Sequence, residues 1–401
     1  MADDLALYVH WPFCVTKCPY CDFNSHVRAG VDQEAWRDAL LADLRHEAAL
    51  TGHQGAGHQE AGQRLVSIFF GGGTPSLMPP ATAGAIIAEA HRLWPVAPDL
   101  EITLEANPSS VEAARFADFA AAGVNRVSLG LQALDEAALK LLGRPHDLAQ
   151  GLAALDTAQR HFGRVSFDLI HTRPGQSARA WEAELARGLA FGTGHLSAYQ
   201  LTIEPGTRFH TLFSKGLLSL PGEDESADMF EMTGAMCAAA GLPLYEISNH
   251  ARPGEESRHN RMYWTYGDYA GIGPGAHGRR NRLATLRYRR PESWLEAVSR
   301  GGHGLQSEEA VVPFMAAKEA LLMGLRLAEG IEPGRFARRT GVELLAAVDG
   351  IARRRLEAQG FLLPAETVGG RLVATDTGRA VTNRLILELL AGEMAASGRG
   401  A

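Results

Sequence analysis

The sequence predicts an α/β protein with a parallel sheet, open or closed into a barrel, followed by a smaller helical, winged-helix-like domain. Three observations support this prediction. Short apolar or β-branched runs alternate six times with alanine-rich helical patterns in the first half of the 401-residue chain, an order typical of parallel sheets. The alternation stops after about residue 215. The last hundred residues then show helical patterns around one hairpin-like segment with a Gly-Gly turn.

Each alternation supplies one strand and one helix, in chain order. Strand runs such as "RLVSIFF" are rich in β-branched and aromatic residues, whereas the helical stretches are rich in alanine. The polar, glycine-rich segment 51–63 is predicted to be a flexible surface loop. The predicted strands span 5–11, 64–70, 101–107, 126–132, 165–171 and 195–203, and the predicted helices span 33–51, 81–93, 110–121, 135–142, 148–161 and 179–190.

The second half is predicted to hold a long helix, a loop-rich extension and the C-terminal domain. The helix, at 220–241, starts with an acidic run, and the extension contains "SRHNRMYW" and "GIGPGAHG". The basic stretch "IARRRLEAQ" is interpreted as a solvated face rather than a DNA contact. The predicted domains are 1–215, 216–305 and 306–401, and the C-terminal helices are predicted at about 309–328, 334–339, 342–359 and 378–391.

Composition and charge exclude several classes of protein. Hydrophobic residues make up 46% and charged residues 21% of the chain, as in ordinary globular proteins. A net charge of −7 argues against a general nucleic-acid binder. No apolar run reaches the roughly 18 residues of a membrane span, and the start "MADDLALYVHW" has no basic segment typical of a signal peptide. A cytoplasmic protein with reduced cysteines is therefore expected.

Three of the four cysteines, Cys14, Cys18 and Cys21, lie within eight residues just beyond the first predicted strand. The spacing C-x3-C-x2-C favours an iron–sulfur cluster, in which three thiolates leave one of four irons open for a small molecule. Zinc is the alternative, with His10 or His26 as the fourth ligand. Cys237 lies in an apolar helical pattern and is predicted to be a core residue.

Polar or glycine residues lie at the carboxyl end of every predicted strand, and Arg144 comes twelve residues after Gln132. Because the carboxyl ends of parallel strands meet at one edge, these side chains are expected to share a site. Carboxylates and amides suit an ammonium group and ribose hydroxyls, and an arginine suits a carboxylate, so the ligand is predicted to be an amino-acid nucleoside. Taken singly, each buried acid could be structural. The residues are Gly72, Gly73, Thr74, Glu105, Gln132, Arg144 and Asp168.

These motifs resemble those of a known family. "CVTKCPYCDF" is similar to the signature of radical S-adenosylmethionine (SAM) enzymes, and "FFGGGTPSLM", "LEANP", "GVNRVSLGLQALDEAALKLLGRPHD" and "HLSAYQLTIEPGTRF" resemble the oxygen-independent coproporphyrinogen III oxidase group. The resemblance covers nearly the whole chain. It implies a partial (β/α)6 TIM-like barrel followed by the smaller helical domain.

The resemblance also assigns cofactors to named positions. It implies that Cys14, Cys18 and Cys21 hold a 4Fe–4S cluster, whose open iron binds the amino and carboxylate groups of SAM. No catalytic residue is assigned. The positions that match SAM contacts of the family are Tyr8, Tyr20, Gly72, Gly73, Thr74, Glu105, Gln132, Arg144 and Asp168.

Two features resemble the haem chaperone (HemW-type) branch of this group. Phe23 stands where the dehydrogenases carry a fourth cysteine, and only 13 residues precede Cys14. The branch implies a protein that binds haem and passes it to apo-proteins, including acceptors at the membrane surface. The alternatives are a coproporphyrinogen III dehydrogenase of porphyrin biosynthesis, a radical SAM enzyme with an unrelated substrate, and a zinc-stabilised barrel. The chain departs from a frequent family pattern at His171 and Thr172.

The haem site is predicted near "SRHNRMYW", which resembles the HN-x-x-YW signature of the branch. His259 is predicted to be an axial ligand or to lie on the haem pocket, with Tyr263 and Trp264 lining it. The alternative is that His259 ties a loop to the barrel and the aromatic residues fill the core. His250 and His277 are the competing candidates for the ligand.

Overall fold

A computed structural model describes residues 4–28, 30–51 and 63–397, with side chains described as far as residue 390. Residues 52–62 of the predicted loop lie outside this range. The strands are β1 (Asp4–Trp11), β2 (Phe13–Cys14), β3 (His26–Val27), β4 (Arg64–Gly72), β5 (Val96–Ala106), β6 (Arg126–Gln132), β7 (Arg164–His171), β8 (His195–Gln200), β9 (Leu244–Glu246), β10 (Asn249–Ala251), β11 (Asp268–Ile272), β12 (His277–Arg280), β13 (Leu283–Arg287) and β14 (Leu305–Ala310).

Twelve of these strands form one open sheet in the order β14-β13-β12-β11-β1-β4-β5-β6-β7-β8-β10-β9. The six predicted strands are β1 and β4 to β8, and they pair in parallel with one another. This confirms the partial (β/α)6 barrel. The extension adds a seventh parallel strand, β11, on the other side of β1, and short antiparallel strands continue both ends of the sheet.

Helices cover the outer face of the parallel strands and build the C-terminal domain. They are α1 (Gln33–Thr51), α2 (Pro80–Leu93), α3 (Ser110–Ala113), α4 (Phe116–Ala121), α5 (Glu136–Leu141), α6 (Leu148–His161), α7 (Ala178–Leu189), α8 (Arg208–Ser214), α9 (Glu223–Ala239), α10 (Arg258–Trp264), α11 (Pro291–Gly301), α12 (Pro313–Gly324), α13 (Pro333–Thr340), α14 (Gly350–Ala358), α15 (Asp376–Ala380) and α16 (Thr382–Ser397).

Side-chain alternation along β1 separates the core from the site. Leu5, Leu7 and Val9 are fully buried in the main hydrophobic core, which they share with residues of α1. Successive side chains of a strand point to opposite faces, so Tyr8 and His10 face the other way, into the barrel. The period-two pattern therefore puts apolar residues against the helices and polar residues inside.

Four of the predicted helices are interrupted in the structure or begin several residues later. The predicted helix 110–121 is two short helices, α3 and α4, separated at Ala114 and Arg115. The start of the predicted helix 309–328 is wrong, because residues 305–310 form β14, which pairs with β13, and α12 begins at Pro313. The predicted helix 342–359 begins with a 3-10 turn before Asp349 caps α14. The helix predicted at 378–391 is broken at Val381, between α15 and α16.

The C-terminal domain has its own hydrophobic core of residues from α12 to α16. Its hairpin-like segment forms antiparallel bridges between Leu362 and Ala374 and between Ile331 and Leu372. Gly369 and Gly370 both adopt positive φ angles, 65° and 76°, a backbone conformation that glycine allows at little cost. Helices with a small hairpin confirm the predicted winged-helix-like character.

A buried ion-pair network fastens the extension to the barrel. Arg287 of β13 is fully buried and contacts both Asp43 (3.2 Å) and Glu47 (2.6 Å) of α1. Arg280 of β12 also contacts Glu47, at 2.7 Å. Removing Arg287 would take away the arginine that pairs with the buried Asp43 and one of the two that pair with Glu47, so residues 268–310 act as a structural part of the sheet.

Candidate functional site

The cysteines lie on a short loop after β1 that other parts of the chain hold in place. Cys14 ends β2, which pairs with β3 through Phe13 and His26. The N–H group of Cys21 donates to the carbonyl of Cys18 at 3.2 Å. Asn24 donates from its side chain to the carbonyls of Pro274 and Arg289, both at 2.9 Å. The extension thus anchors the far end of the cysteine loop.

Polar groups from the barrel reach two of the three sulfurs. The hydroxyl of Thr74 donates to Cys14 Sγ at 3.3 Å, and Nη1 of Arg144 donates to Cys18 Sγ at 3.4 Å. Asn107 joins these two donors: its Nδ2 donates to Thr74 Oγ1 at 3.1 Å, and its Oδ1 accepts from Arg144 Nη2. A continuous polar bridge therefore runs from Cys14 to Cys18 through Thr74 after β4, Asn107 after β5 and Arg144 on the loop between α5 and α6.

The thiols are free, and burial raises the pKa of Cys14 and of Cys21. Within residues 4–28, 30–51 and 63–390, no group of three or more His, Cys, Asp or Glu side chains, these cysteines included, has the geometry to bind a single metal ion. The fourth ligands of the zinc alternative are engaged elsewhere. His10 contacts Tyr8 and the carbonyl of Asn24, and His26 contacts the side chain of Asn24. The donor set of three free thiols with polar partners fits a cluster better than a closed zinc site.

Two buried carboxylates face each other inside the barrel. Burial and, as a smaller cause, the nearby charge of Asp168 together raise the pKa of Glu105 to about 8. Burial likewise raises the pKa of Asp168 to about 6, although hydrogen bonds from Ser197 and Ser128 oppose the shift. The N–H group of Gly72 donates to Glu105 at 3.3 Å. A cationic ligand would relieve this crowding of negative charge.

The remaining predicted contacts lie around Arg144. Gln132 ends β6 with a positive φ of 69°, unusual for a residue other than glycine. Its Nε2 and Arg144 Nη2 both lie against Gly130, where a Cβ atom would be 2.9 and 3.2 Å away. Burial raises the pKa of Tyr20, and the positive charge of Arg144 opposes this shift. The structure therefore brings Gln132, Arg144 and Tyr20 together beside Cys18.

The glycine turn has a local structural reason. A Cβ atom on Gly73 would lie 2.8 Å from the carbonyl oxygen of Phe13. The N–H groups of Gly73 and Thr74 donate to the carbonyls of Trp11 and Phe13, at 2.7 and 2.8 Å. The turn thus fits closely against the backbone that leads into Cys14, and this contact alone requires a residue without a side chain.

A cavity of about 550 Å³ lies between the barrel and the extension. Tyr8, Gly72 and Glu105 line it from the strand ends. The extension contributes aromatic and polar side chains, and the exposed ring of Phe23 lies at the cysteine loop. The extension residues that line the cavity are Tyr263, Tyr269, Gly275, His277, Leu286 and Arg289.

His259 does not line this cavity. It is only 1% exposed, its Nδ1 contacts the hydroxyl of Ser67 at 3.1 Å, and its Nε2 contacts the hydroxyl of Tyr263 at 3.0 Å. Burial lowers the pKa of His259 to about 3. Both ring nitrogens are therefore used inside the protein, an arrangement that favours the structural alternative over an axial ligand. The histidine positions Tyr263, which does line the cavity.

The competing histidines differ in exposure. His250 is 2% exposed on β10, away from the cavity lining. His277 at the start of β12 is exposed on the cavity wall, and the partial burial of its ring together with the charge of Arg289 lowers its pKa. His171 and Thr172, where the chain departs from the family pattern, contact each other at 2.8 Å. His171 also stacks on Trp181, which accounts for an aromatic-like residue at that position.

Sequence reasoning missed several residues at the site. Asn107 follows Glu105 in "LEANP", and its position after a strand end was a usable signal. Ser128 and Ser197 contact Asp168 from the two neighbouring strands, β6 and β8. Side chains alternate between the two faces of a strand, and this alternation in "RVSLGLQ" and "HLSAYQ" could have placed both serines inside the barrel. Tyr269 lies in β11, which the sequence analysis did not recognise as a strand.

Within the range that the structure describes, no helix is both long and apolar enough to cross a membrane.

Two family models match the chain: the radical SAM superfamily over residues 8–186 and the HemN C-terminal domain over residues 315–381. The fold resembles that of coproporphyrinogen III oxidase (HemN) from Escherichia coli, with a TM-score of 0.77, 21% identity and coverage of 97% of this chain and 90% of that one.

Curated relatives match over nearly their full length. "Radical S-adenosyl methionine domain-containing protein 1, mitochondrial" of Bos taurus is 39% identical over 396 residues, 96% of this chain and 87% of the relative. "Heme chaperone HemW" of Escherichia coli is 38% identical over 369 residues, 89% of this chain and 91% of the relative. The protein of the same name from Mycobacterium tuberculosis (strain ATCC 25618 / H37Rv) is 33% identical over 391 residues, which cover 96% of this chain and 94% of the relative. The chain therefore belongs to the radical SAM superfamily and, within its coproporphyrinogen III oxidase-like group, to the HemW family of haem chaperones.

Proposed function

We propose that this protein is a haem chaperone that binds a 4Fe–4S cluster, SAM and haem, and delivers haem to apo-proteins in the cytoplasm. Membership of the HemW family supports the general reading. The observation that carries the haem assignment is the cavity of about 550 Å³ next to the cysteine loop. Its volume lies within the range of small-molecule sites, roughly 300–1,000 Å³.

Cys14, Cys18 and Cys21 would hold the cluster, which supplies one-electron chemistry and an iron that is open to a ligand. Thr74 and Arg144 direct hydrogen bonds at the sulfurs of Cys14 and Cys18. Hydrogen bonds to sulfur raise the reduction potential of such clusters. These residues therefore tune the cluster as well as position it.

SAM would lie beside the cluster, along the strand ends. Its sulfonium and ammonium groups carry positive charge and suit Glu105 and Asp168. Burial raises the pKa of both carboxyl groups, and the charge of Asp168 adds to the shift of Glu105, so a nearby cation would stabilise their charged forms. Its carboxylate suits Arg144, which the Asn107 bridge holds in place. The other residues proposed to contact SAM are Tyr8, Tyr20, Gly72, Gly73, Thr74 and Gln132.

Haem would lie against the outer part of the cavity. Tyr263 and Tyr269 offer aromatic faces, and Phe23, at 61% exposure, offers an apolar surface at the position where the dehydrogenases carry a cysteine. His277 is the exposed histidine on this wall, and its lowered pKa keeps it in the neutral form that binds iron. Arg289 suits a haem propionate. We propose His277 as the axial ligand in place of His259.

One experiment separates the proposal from the alternative of a coproporphyrinogen III dehydrogenase. Anaerobically reconstituted protein is titrated with haem and then mixed with an apo-globin, and a parallel sample receives coproporphyrinogen III, SAM and a reductant. The proposal expects stoichiometric haem binding and transfer to the apo-globin, with no decarboxylated porphyrinogen. Decarboxylation without haem binding would establish the alternative.

A further inference from the structure

A second cavity, remote from the cysteine loop, lies where the β12–β13 hairpin meets the C-terminal domain. Its volume is about 190 Å³. This exceeds the roughly 10–15 Å³ that a single water needs and is below the roughly 300–1,000 Å³ of most ligand pockets, so it suits a small anion with a few waters. Side chains from β11, the hairpin, α12 and α13 line it. Four of the lining residues are arginines, Arg279, Arg282, Arg338 and Arg339, and one is an acid, Asp268.

Arg279 is the buried member of this group, at 7% exposure. Its guanidinium lies flat over the ring of Tyr266, 3.6 Å from the centroid. A carboxylate oxygen of Glu319 lies 4.0 Å from Nη2 of Arg279 and already accepts a hydrogen bond from the hydroxyl of Tyr266 at 2.7 Å. Among the described residues Nη1 has no hydrogen-bond partner. A buried donor in this state costs free energy until something accepts its hydrogen bond.

The other charges at the cavity leave the cationic excess in place. Asp268 is held by Arg339 at 3.3 Å and by the side chain of Gln63 at 2.8 Å. Its single charge is thus shared with Arg339 and is not offered to Arg279. Within the described part of the chain, the Arg282 side chain donates only to the backbone carbonyl of Arg338, at 3.4 Å. An anion would therefore find more positive than negative charge here.

The hairpin turn gives an independent reason to assign a role to Arg282. Arg280 pairs with Leu283, so Asn281 and Arg282 form a two-residue loop, with φ angles of 50° and 62°. Such a loop favours asparagine followed by glycine, because both residues adopt the left-handed conformation. Arginine in the second position is strained. The strain is understandable if the arginine binds a ligand at the cavity.

We propose that this cavity binds a phosphate group, with Arg279 and Arg282 as its principal ligands. The planar guanidinium of Arg279, fixed by Tyr266, presents Nη1 to a tetrahedral oxyanion. Arg279 also lies 5.6 Å from the ring centroid of Tyr269, which lines the larger cavity. Arg279 would therefore contact the bound phosphate on one side and Tyr269, in the wall of the larger cavity, on the other.

The test measures binding of inorganic phosphate to the full chain by calorimetry and by thermal unfolding, against sodium chloride at equal ionic strength. Phosphate is expected to raise the unfolding temperature, because a ligand that binds only the folded state stabilises it. Arg279→Met keeps the apolar stem and should weaken phosphate binding by about tenfold or more. The exposed Arg354→Ala on α14 is the matched control and should bind normally.

Arg282→Gly keeps the test informative if Arg279→Met does not fold. This variant relieves the turn, so it should unfold at a higher temperature without phosphate and yet respond less to phosphate. Vesicles that contain phosphatidic acid, compared with phosphatidylcholine vesicles, form a second arm. Binding that is lost in Arg282→Gly assigns a lipid phosphate, whereas phosphate binding without vesicle binding assigns a free phosphate or soluble ester. Equal responses of wild type and Arg282→Gly to phosphate, or an equal effect of sodium chloride, would overturn the proposal.

Discussion

The hydroxyl of Thr74 donates a hydrogen bond to the sulfur of Cys14 over 3.3 Å. The same oxygen accepts a hydrogen bond from Asn107, which in turn holds Arg144 beside Cys18. A single residue after β4 therefore sets the polar environment of two cysteines. Because hydrogen bonds to sulfur raise the potential of an iron–sulfur cluster, the contact has a measurable electronic consequence.

Thr74→Val should lower the midpoint potential of the reconstituted cluster, since the isosteric side chain cannot donate to sulfur or accept from Asn107. Thr74→Ser keeps the hydroxyl and serves as the control. The potential is read by a redox titration followed with electron paramagnetic resonance. If the valine and serine variants had the same potential as the wild type, the hydrogen bond would have no electronic role.

Alanine in place of Cys14, Cys18 or Cys21 should abolish the cluster, because three thiolates are the minimum set the loop offers. Iron content and the visible absorption spectrum after anaerobic reconstitution measure the loss. Cys237 is the matched control: it is fully buried in the core, and burial raises the pKa of its thiol to about 12. A Cys237→Ala protein that lost its iron while Cys14→Ala retained it would contradict the assignment.

SAM affinity should increase as pH rises from about 6 to about 8, because Glu105 and Asp168 lose their protons in this interval. Tyr8, Tyr199 and Tyr263 also face this pair, but burial raises the pKa of each, so they stay neutral. The positive charges of Arg144 and Arg126 lower the pKa of Asp168 and are constant across the range. Calorimetry in buffers of different ionisation enthalpy should show proton release on binding, and Glu105→Gln should remove most of it.

The same pKa shift has the opposite effect on the stability of the ligand-free protein. Glu105 has a pKa of about 8 when folded and an ordinary value of 4.5. Between these values the unfolded chain carries fewer protons than the folded one, so the free energy of unfolding falls as pH rises. Denaturant titrations between pH 5 and 8 should show a smaller decline in Glu105→Gln. An unchanged decline in that variant would mean that other groups cause it.

His259→Ala should destabilise the protein by about 2–4 kcal/mol, because it leaves a cavity and removes a partner from both Ser67 and Tyr263. His277→Ala should fold normally, shift the Soret band of bound haem and weaken haem binding by about tenfold or more. Denaturant unfolding and haem titration of both cluster-loaded variants make the comparison. The reverse pattern, with haem affinity lost in a fully stable His259→Ala protein, would restore His259 as the ligand.

Much of the barrel could be predicted because its strands are long, apolar and separated by regular helices. The predicted strand at 126–132 has the same bounds as β6, and the others differ by a few residues. β11 was not predicted, since "DYAGI" is five residues long and ends in a glycine-rich stretch. Its pairing with β1 depends on residues more than 260 positions away, which local patterns do not contain. The exposed, charged β14 was mistaken for the start of a helix for the same reason.

The sequence was sufficient to predict which strand ends form the site, but not the hydrogen bonds between its side chains. The position of Glu105 and Asp168 in the carboxyl-terminal halves of two predicted parallel strands indicated that they share a site. The burial of His259 behind Tyr263 was not visible in "HNRMYW", because it depends on Ser67 of β4. Likewise, the role of Asn107 depends on Arg144, which lies on a loop that the sequence pattern could not orient.

The parallel pairing of β1 with β11 also determines the order of events during synthesis. Leu5 pairs with Asp268 and Val9 with Ile272, so β1 can pair early with β4 on one side, whereas its pairing on the other side must wait until residues 268–272 have been translated. Asn24, at the far end of the cysteine loop, likewise needs Pro274 and Arg289 to be present. Such distant pairings form late in folding. An ordered cysteine loop is therefore expected only after residues 268–289 have been made, and a chain that stalls before residue 268 would present its cysteines without the contacts that hold the loop in place.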